Sequence, residues 1–174
     1  MPEYVIDTNV ILSADGKHAD VCAQGVTDCA QRLLIVSVNG GLVLDDGERI
    51  IGEYLNKTRP WNPQTAGEQF VKWVLDNKHD IACCASVSIT PKVDDPEDFD
   101  EFPADLRLAT FERADRKFVA TACAREGQPP IVVAMDTDYY MPDHRAAFAA
   151  CGVHIDFICE PDLARVYNRK YGEG

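Results

Sequence analysis

The sequence predicts an α/β fold, a three-layer α/β/α sandwich with a central, mainly parallel sheet. Three observations lead there. Short runs rich in β-branched and aliphatic residues, "YVI" at 4–6, "LVL" at 42–44, "IVVA" at 131–134 and "VHIDFI" at 153–158, are separated by longer stretches whose apolar residues recur at helical spacing. Strand and helix alternate, and a helix between two strands returns the chain to start the next strand in the same direction. The 174 residues suit one domain spanning 1–174, long enough to bury roughly 70% of the surface that an unfolded chain exposes.

The elements follow in order. Residues 4–6 form the first strand. Over 19–38, Cys22, Val26, Cys29, Ala30 and Leu33 draw an apolar helical stripe that Gly40-Gly41 ends. A short strand at 42–44 precedes Asp45 and Asp46, either of which can cap a helix over 48–57 that Pro60 closes. A further helix over 64–77 turns Phe70 and Val74 inward, with Trp73 beside them. Residues 81–89 are apolar and partly β-branched, and periodicity alone does not choose between strand and helix there. "DDPEDFDE" at 94–101 holds six acids in eight positions and predicts a solvated loop, because like charges this dense repel and bury nothing. A short amphipathic turn near 105–111, a helix from 115 to 125, the break "GQPP" at 127–130, a strand at 131–134, a helix over 143–151 and a last strand at 153–158 complete the pattern. The terminal "RVYNRKYG" reads as an ordinary helix, although its mixture of charge and tyrosine could also offer a stacking face.

Composition narrows the function. A formal net charge of −12 argues against a general nucleic-acid coat protein, which must neutralise phosphates with Lys and Arg. It leaves room for an enzyme that meets phosphates through bound metal and one local basic patch. No apolar run approaches the roughly 18 residues that a membrane-spanning helix needs. The absence of a basic start followed by an apolar stretch points to a cytoplasmic protein. The seven cysteines show no C-x-x-C and the four histidines no paired ligand spacing, so reduced thiols are expected rather than a disulfide framework or structural zinc.

The chemistry lies in the carboxylates. In open parallel sheets, ligands bind beyond the carboxyl ends of the strands. Asp7 and Asp136 stand at or just past such ends, although each alone could be a cap or turn residue. Asp115 shares the spacing i, i+3, i+4, i+7 with Phe118, Val119 and Ala122, which places it on the inward stripe of its helix; it can also be that helix's N-cap. In "GERIIGEYLNK", Glu48 and Glu53 both remain open. Three or four acids without a lysine among them cannot sit together ionised unless a cation joins them, and hard oxygen ligands suit Mg²⁺ or Mn²⁺. Such a site activates water for hydrolysis at phosphorus.

The ordered set "VIDTNVIL", a helical Glu, "ADRKFVATA" and "MDTDYY" resembles the PIN-domain ribonucleases, a superfamily that includes bacterial toxin endoribonucleases and eukaryotic RNA-processing factors. The match runs from Asp7 to Asp138. The resemblance implies a Rossmann-like PIN fold and Mg²⁺- or Mn²⁺-dependent cleavage of single-stranded RNA. By position it makes Asp7, Glu53, Asp115 and Asp136 the catalytic acids and metal ligands, with Asp138 an auxiliary ligand. "GEYL" selects Glu53, which periodicity does not. Asn9 matches the polar residue after the first acid. Ala134 stands where many relatives carry Thr or Ser, so the supporting hydrogen bond is either missing or supplied elsewhere, by Thr8 or Thr137. Arg113, Arg116 and Lys117 are the expected substrate cations. The family also makes a basic antitoxin or a homodimeric partner an expectation.

Two other readings compete. A strand running into "DTN" is similar to the start of the HAD-type phosphatases, but Asn9 stands where the proton-shuttling acid belongs. A binding module for RNA or protein, with weak or no catalysis, fits the negative charge, yet it has no need of a mutually repelling acid cluster.

Overall fold

The computed structural model describes residues 1–172. In chain order it contains β1 (Val5–Ile6), α1 (Thr8–Ala14), α2 (Ala23–Asn39), β2 (Leu42–Asp45), α3 (Arg49–Lys57), α4 (Ala66–Asn77), β3 (Cys84–Val87), β4 (Pro91–Lys92), β5 (Asp95–Phe99), α5 (Arg116–Ala124), β6 (Ile131–Val133), α6 (Thr137–Tyr140), α7 (Pro142–Ala150), β7 (Ile155–Phe157) and α8 (Glu160–Tyr171).

β1 is the centre of the sheet. On one side it pairs in parallel with β6, Val5 opposite Ile131 and Ile6 opposite Val132, and β6 pairs in parallel with β7. On the other side a parallel bridge joins Tyr4 to Leu42, and β2 pairs in parallel with β3. The order across the sheet is therefore β3-β2-β1-β6-β7. Val5, Ile6, Leu42, Val43 and Ile131–Val133 are all buried, the near-continuous apolar runs that a sheet covered on both faces requires. Helices flank it, with α1, α2 and α4 packed on one another and α5 lying across β1, β2 and β6. Gly41 makes the junction of β1 and β2 possible. Its φ is +90°, and a Cβ there would collide with the Pro2 carbonyl oxygen. Among the described residues no helix is long and apolar enough to cross a membrane.

Two expectations need correction, and one open choice is resolved. A seven-residue helix, α1, follows Asp7 directly, and the second helix starts at Ala23 rather than 19, with Cys22 exposed at its cap. Residues 81–89 supply a strand, β3. The acidic stretch 94–101 is not a loop that buries nothing: β5 pairs antiparallel with β4, and Asp98 and Phe99 are buried. The charge of Asp98 is compensated from outside the stretch, by Arg116 at 2.9 Å and Lys92 at 2.6 Å, while Phe99 anchors the hairpin in the core.

Candidate metal centre at the strand ends

The strand order reverses at β1: β2 lies to one side and β6 to the other. Such a switch point opens a crevice at the carboxyl ends of the two strands, where ligands of open α/β sheets bind. Asp7 follows β1 and Asp136 follows β6. Each caps the next helix through one carboxylate oxygen: Asp7 Oδ1 accepts from the Asn9 amide at 2.8 Å, and Asp136 Oδ1 from the Asp138 amide at 2.8 Å. Capping fixes both side chains and leaves the second oxygen of each for other work. Asp136 Oδ2 lies 3.4 Å from Asn9 Nδ2, whereas Asp7 Oδ2 is buried without a hydrogen-bond partner.

Asp115 approaches from α5. It occupies that helix's N-cap position but makes no side-chain capping bond, so its carboxylate is free to face the other two. Asp7, Asp115 and Asp136 each offer an oxygen within 4.8 Å of the others. Their ionisation reports the cost. Burial raises Asp7 well above the usual carboxylate range, and the charges of Asp115 and Asp136 add to the rise. Burial, then Asp136 and Glu53, push Asp115 up to about 8, against a smaller pull from Lys117. Burial also raises Asp136, opposed by the Asp138 amide. These are the effects of removing like charges from water together. A buried carboxylate oxygen with no donor, in an all-oxygen set of this size, matches the needs of a hard divalent cation.

Glu53 lies at the edge of the cluster. Its Oε1 accepts from the Thr8 hydroxyl at 2.6 Å, and its other oxygen pairs with Lys117. Thr8 thus supplies a supporting bond, to Glu53; Thr137 is half-buried in the first turn of α6. Glu48 is exposed and pairs with Lys78. Asp138 is outside the three that converge: its carboxylate takes the Glu112 amide at 2.6 Å and faces His144 Nδ1 at 3.2 Å.

The cationic expectation divides. Arg113 and Lys117 line a groove of about 440 Å³ beside the acids, together with Arg49, Glu53 and Asn56, and Arg113 is paired there with Asp95. Arg116 is turned away from the groove. It is 6% exposed, bonded to Asp98, and donates to the carbonyls of Leu108, Ala109 and Phe111. Its position in the helix turns it to the interior, where Asp98 and the loop carbonyls satisfy it.

Two buried tyrosines by the acids were not singled out by the sequence pattern. Tyr54 donates to the Ile6 carbonyl at 2.5 Å and so braces the end of β1. Tyr139 is buried with an unpartnered hydroxyl. The 500 Å³ apolar cavity between α2 and α4, lined by Leu33, Leu34, Phe70 and Trp73, contains no acid or base and offers no hydrolytic chemistry. No protein-family model, curated protein or solved structure matches the chain.

Proposed function

We propose that this chain is a metal-dependent endoribonuclease that hydrolyses phosphodiester bonds of single-stranded RNA. The observation that carries the reading is the convergence of Asp7, Asp115 and Asp136 at the β1/β6 switch point, with Asp7 Oδ2 buried and unpartnered. Asp7, Asp115 and Asp136 would hold the cation, with Glu53 as a fourth carboxylate at the edge. Bound Mg²⁺ or Mn²⁺ supplies Lewis acidity toward a phosphoryl oxygen and lowers the pKa of coordinated water.

The protein's own groups prepare that chemistry. The capping bonds and the Asn9 amide hold the two strand-end carboxylates in fixed directions. Asp115, pushed up to about 8, retains a proton at neutral pH until a cation takes its place. Lys117, paired with Glu53, and Arg113, paired with Asp95, flank the groove and can exchange those carboxylates for substrate phosphates. The same exchange explains how a protein of net charge −12 meets RNA: contact is local rather than by long-range attraction. The free cysteines suit the reducing cytoplasm. The acidic rim also suits a basic antitoxin-like segment, and a homodimer remains part of the proposal.

A second reading, an RNA- or protein-binding module without catalysis, draws on the Lys117–Glu53 pair, which withholds one carboxylate from the cluster. Cleavage of a fluorescent single-stranded RNA panel in Mn²⁺, Mg²⁺ and EDTA, with Asp136→Asn purified in parallel, separates the two. Metal-dependent cutting that disappears in the variant supports the nuclease. Equal cutting by both preparations removes Asp136 from the site, and RNA binding without cutting favours the module.

A further inference from the structure

One surface feature beside the acids has no part in the chemistry above. Tyr140, Tyr167 and Tyr171 form a ladder with Phe157 at its inner end. The rings pack edge to face from Phe157 to Tyr140 (centroids 5.5 Å apart, planes at 85°) and from Tyr140 to Tyr167 (5.5 Å, 67°), and tilted from Tyr167 to Tyr171 (5.1 Å, 42°), so that the outermost ring alone keeps an open face. The ladder runs outward: Phe157, Tyr140 and Tyr167 are half-buried, and Tyr171 is 54% exposed. Its inner part is tied to the acids, because Tyr140 closes α6, the helix that Asp136 caps, and α6 packs on α8.

Cations border it in an otherwise acidic protein. The Arg145 guanidinium lies 4.7 Å from the Tyr140 ring centre and 5.5 Å from that of Phe157, with Glu160 3.7 Å away. On α8, Arg165 and Arg169 are taken by Asp162 and Asp20. Lys170, exposed one turn beyond Tyr167, forms no ion pair among the described residues. An exposed aromatic ring backed by further rings, with an ammonium beside it that no described residue pairs, provides what single-stranded nucleic acid needs: a face for a base and a cation for the backbone.

We propose that Tyr171, backed by Tyr167 and Tyr140 and flanked by Lys170, forms a base-stacking subsite that holds the single-stranded RNA flanking the scissile phosphate. The proposal rests on the nuclease reading for its substrate, but not for its test. A duplex, whose bases are already stacked on one another, gains nothing from the ladder. The subsite is therefore a source of single-strand preference.

The test measures binding of a labelled ten-nucleotide single-stranded RNA by anisotropy in EDTA, where nothing is cut, beside the same ribose-phosphate chain made abasic at its central positions. Parent, Tyr171→Ala, Tyr171→Phe and Lys170→Ala are compared, and cleavage in Mn²⁺ is read separately. We expect Tyr171→Ala to weaken the normal strand about tenfold while leaving the abasic strand unchanged. Tyr171→Phe should restore binding, and Lys170→Ala should weaken both strands alike. If Tyr171→Ala binds the normal strand as the parent does, or loses both strands equally, the subsite is overturned even where the parent cuts RNA. If the parent shows the expected pattern but cuts nothing, the subsite stands and the nuclease reading falls. No binding of the normal strand by the parent overturns the subsite.

Discussion

Asn9 ties together the two strand-end acids: its backbone amide donates to Asp7 Oδ1 at 2.8 Å, and its side-chain nitrogen lies 3.4 Å from Asp136 Oδ2. Two carboxylates that repel each other are thus held toward one point by a neutral donor between them. Asn9→Ala removes the side-chain donor and keeps the backbone bond. Supporting hydrogen bonds of this kind are typically worth 10–100-fold in metal affinity, so we expect Asn9→Ala to weaken Mn²⁺ binding by about tenfold in calorimetry. The melting temperature should stay within about 3 °C of the parent. Unchanged Mn²⁺ affinity would show that Asn9 does not orient the pair.

Asp115 carries a pH signature. Its carboxyl is pushed up to about 8 by burial, Asp136 and Glu53, whereas an unfolded chain holds an Asp near 3.9. Between these values the folded protein binds a proton that the unfolded chain has released, so this group's stability contribution falls as pH rises. It is fully present below about pH 4 and gone above about pH 8. Without metal, Asp115→Asn should melt as the parent does at pH 4 and higher than the parent at pH 8, by at least about 5 °C. Saturating Mn²⁺ should reverse the order at pH 8, since the cation stabilises only the chain that keeps its ligand. Thermal melts across pH 4–8, with and without Mn²⁺, read both effects. Parallel curves for parent and variant would exclude a retained proton on Asp115.

The convergence of the acids was legible where separate patterns agreed, although each acid alone could equally be a cap. An apolar strand that ends in Asp, twice, identified Asp7 and Asp136, and helical spacing pointed Asp115 inward. Helix α1 escaped because "TNVILSA" is rich in β-branched and apolar residues, and the signal for it was Asp7 itself acting as cap. The acidic hairpin escaped because what neutralises Asp98 is Arg116, 18 positions away. Arg113, Arg116 and Lys117 read as one basic cluster, yet helix geometry sends Arg116 inward and leaves Arg113 and Lys117 on the groove. No periodicity pointed to Glu53, since its partners, Thr8 and Lys117, come from other helices.

That division of the basic cluster gives a paired prediction. Arg116→Ala leaves buried Asp98 with Lys92 as its one remaining cation and three carbonyls without their donor. Breaking a buried pair in this way costs about 3–5 kcal/mol, and denaturant unfolding should show it. Arg113→Ala should change stability by less than about 0.5 kcal/mol. It should instead weaken RNA binding and lower the dependence of log K on log salt by roughly one contact. The reverse result, a stable Arg116→Ala with weakened RNA binding, would return Arg116 to the substrate site.

Lys117 and Glu53 provide the sharpest test of how many carboxylates the centre uses. The pair lies between the acid cluster and the groove, with Lys117 largely buried and Thr8 fixing the other oxygen of Glu53. If Glu53 is a fourth ligand, Lys117 competes with the cation for it, and Lys117→Met should tighten Mn²⁺ binding several-fold by leaving a carboxylate uncompensated. The same substitution should weaken RNA binding, because the groove loses a phosphate contact. Glu53→Gln should do the opposite on both counts: looser Mn²⁺, and RNA binding preserved or improved as Lys117 is released. Should Lys117→Met leave Mn²⁺ affinity unchanged while Asp136→Asn abolishes it, the centre is built from Asp7, Asp115 and Asp136 alone. Glu53 would then serve to hold Lys117 at the groove rather than the metal. Calorimetric Mn²⁺ titration of the four proteins, run beside RNA anisotropy in EDTA, distinguishes these arrangements without relying on turnover.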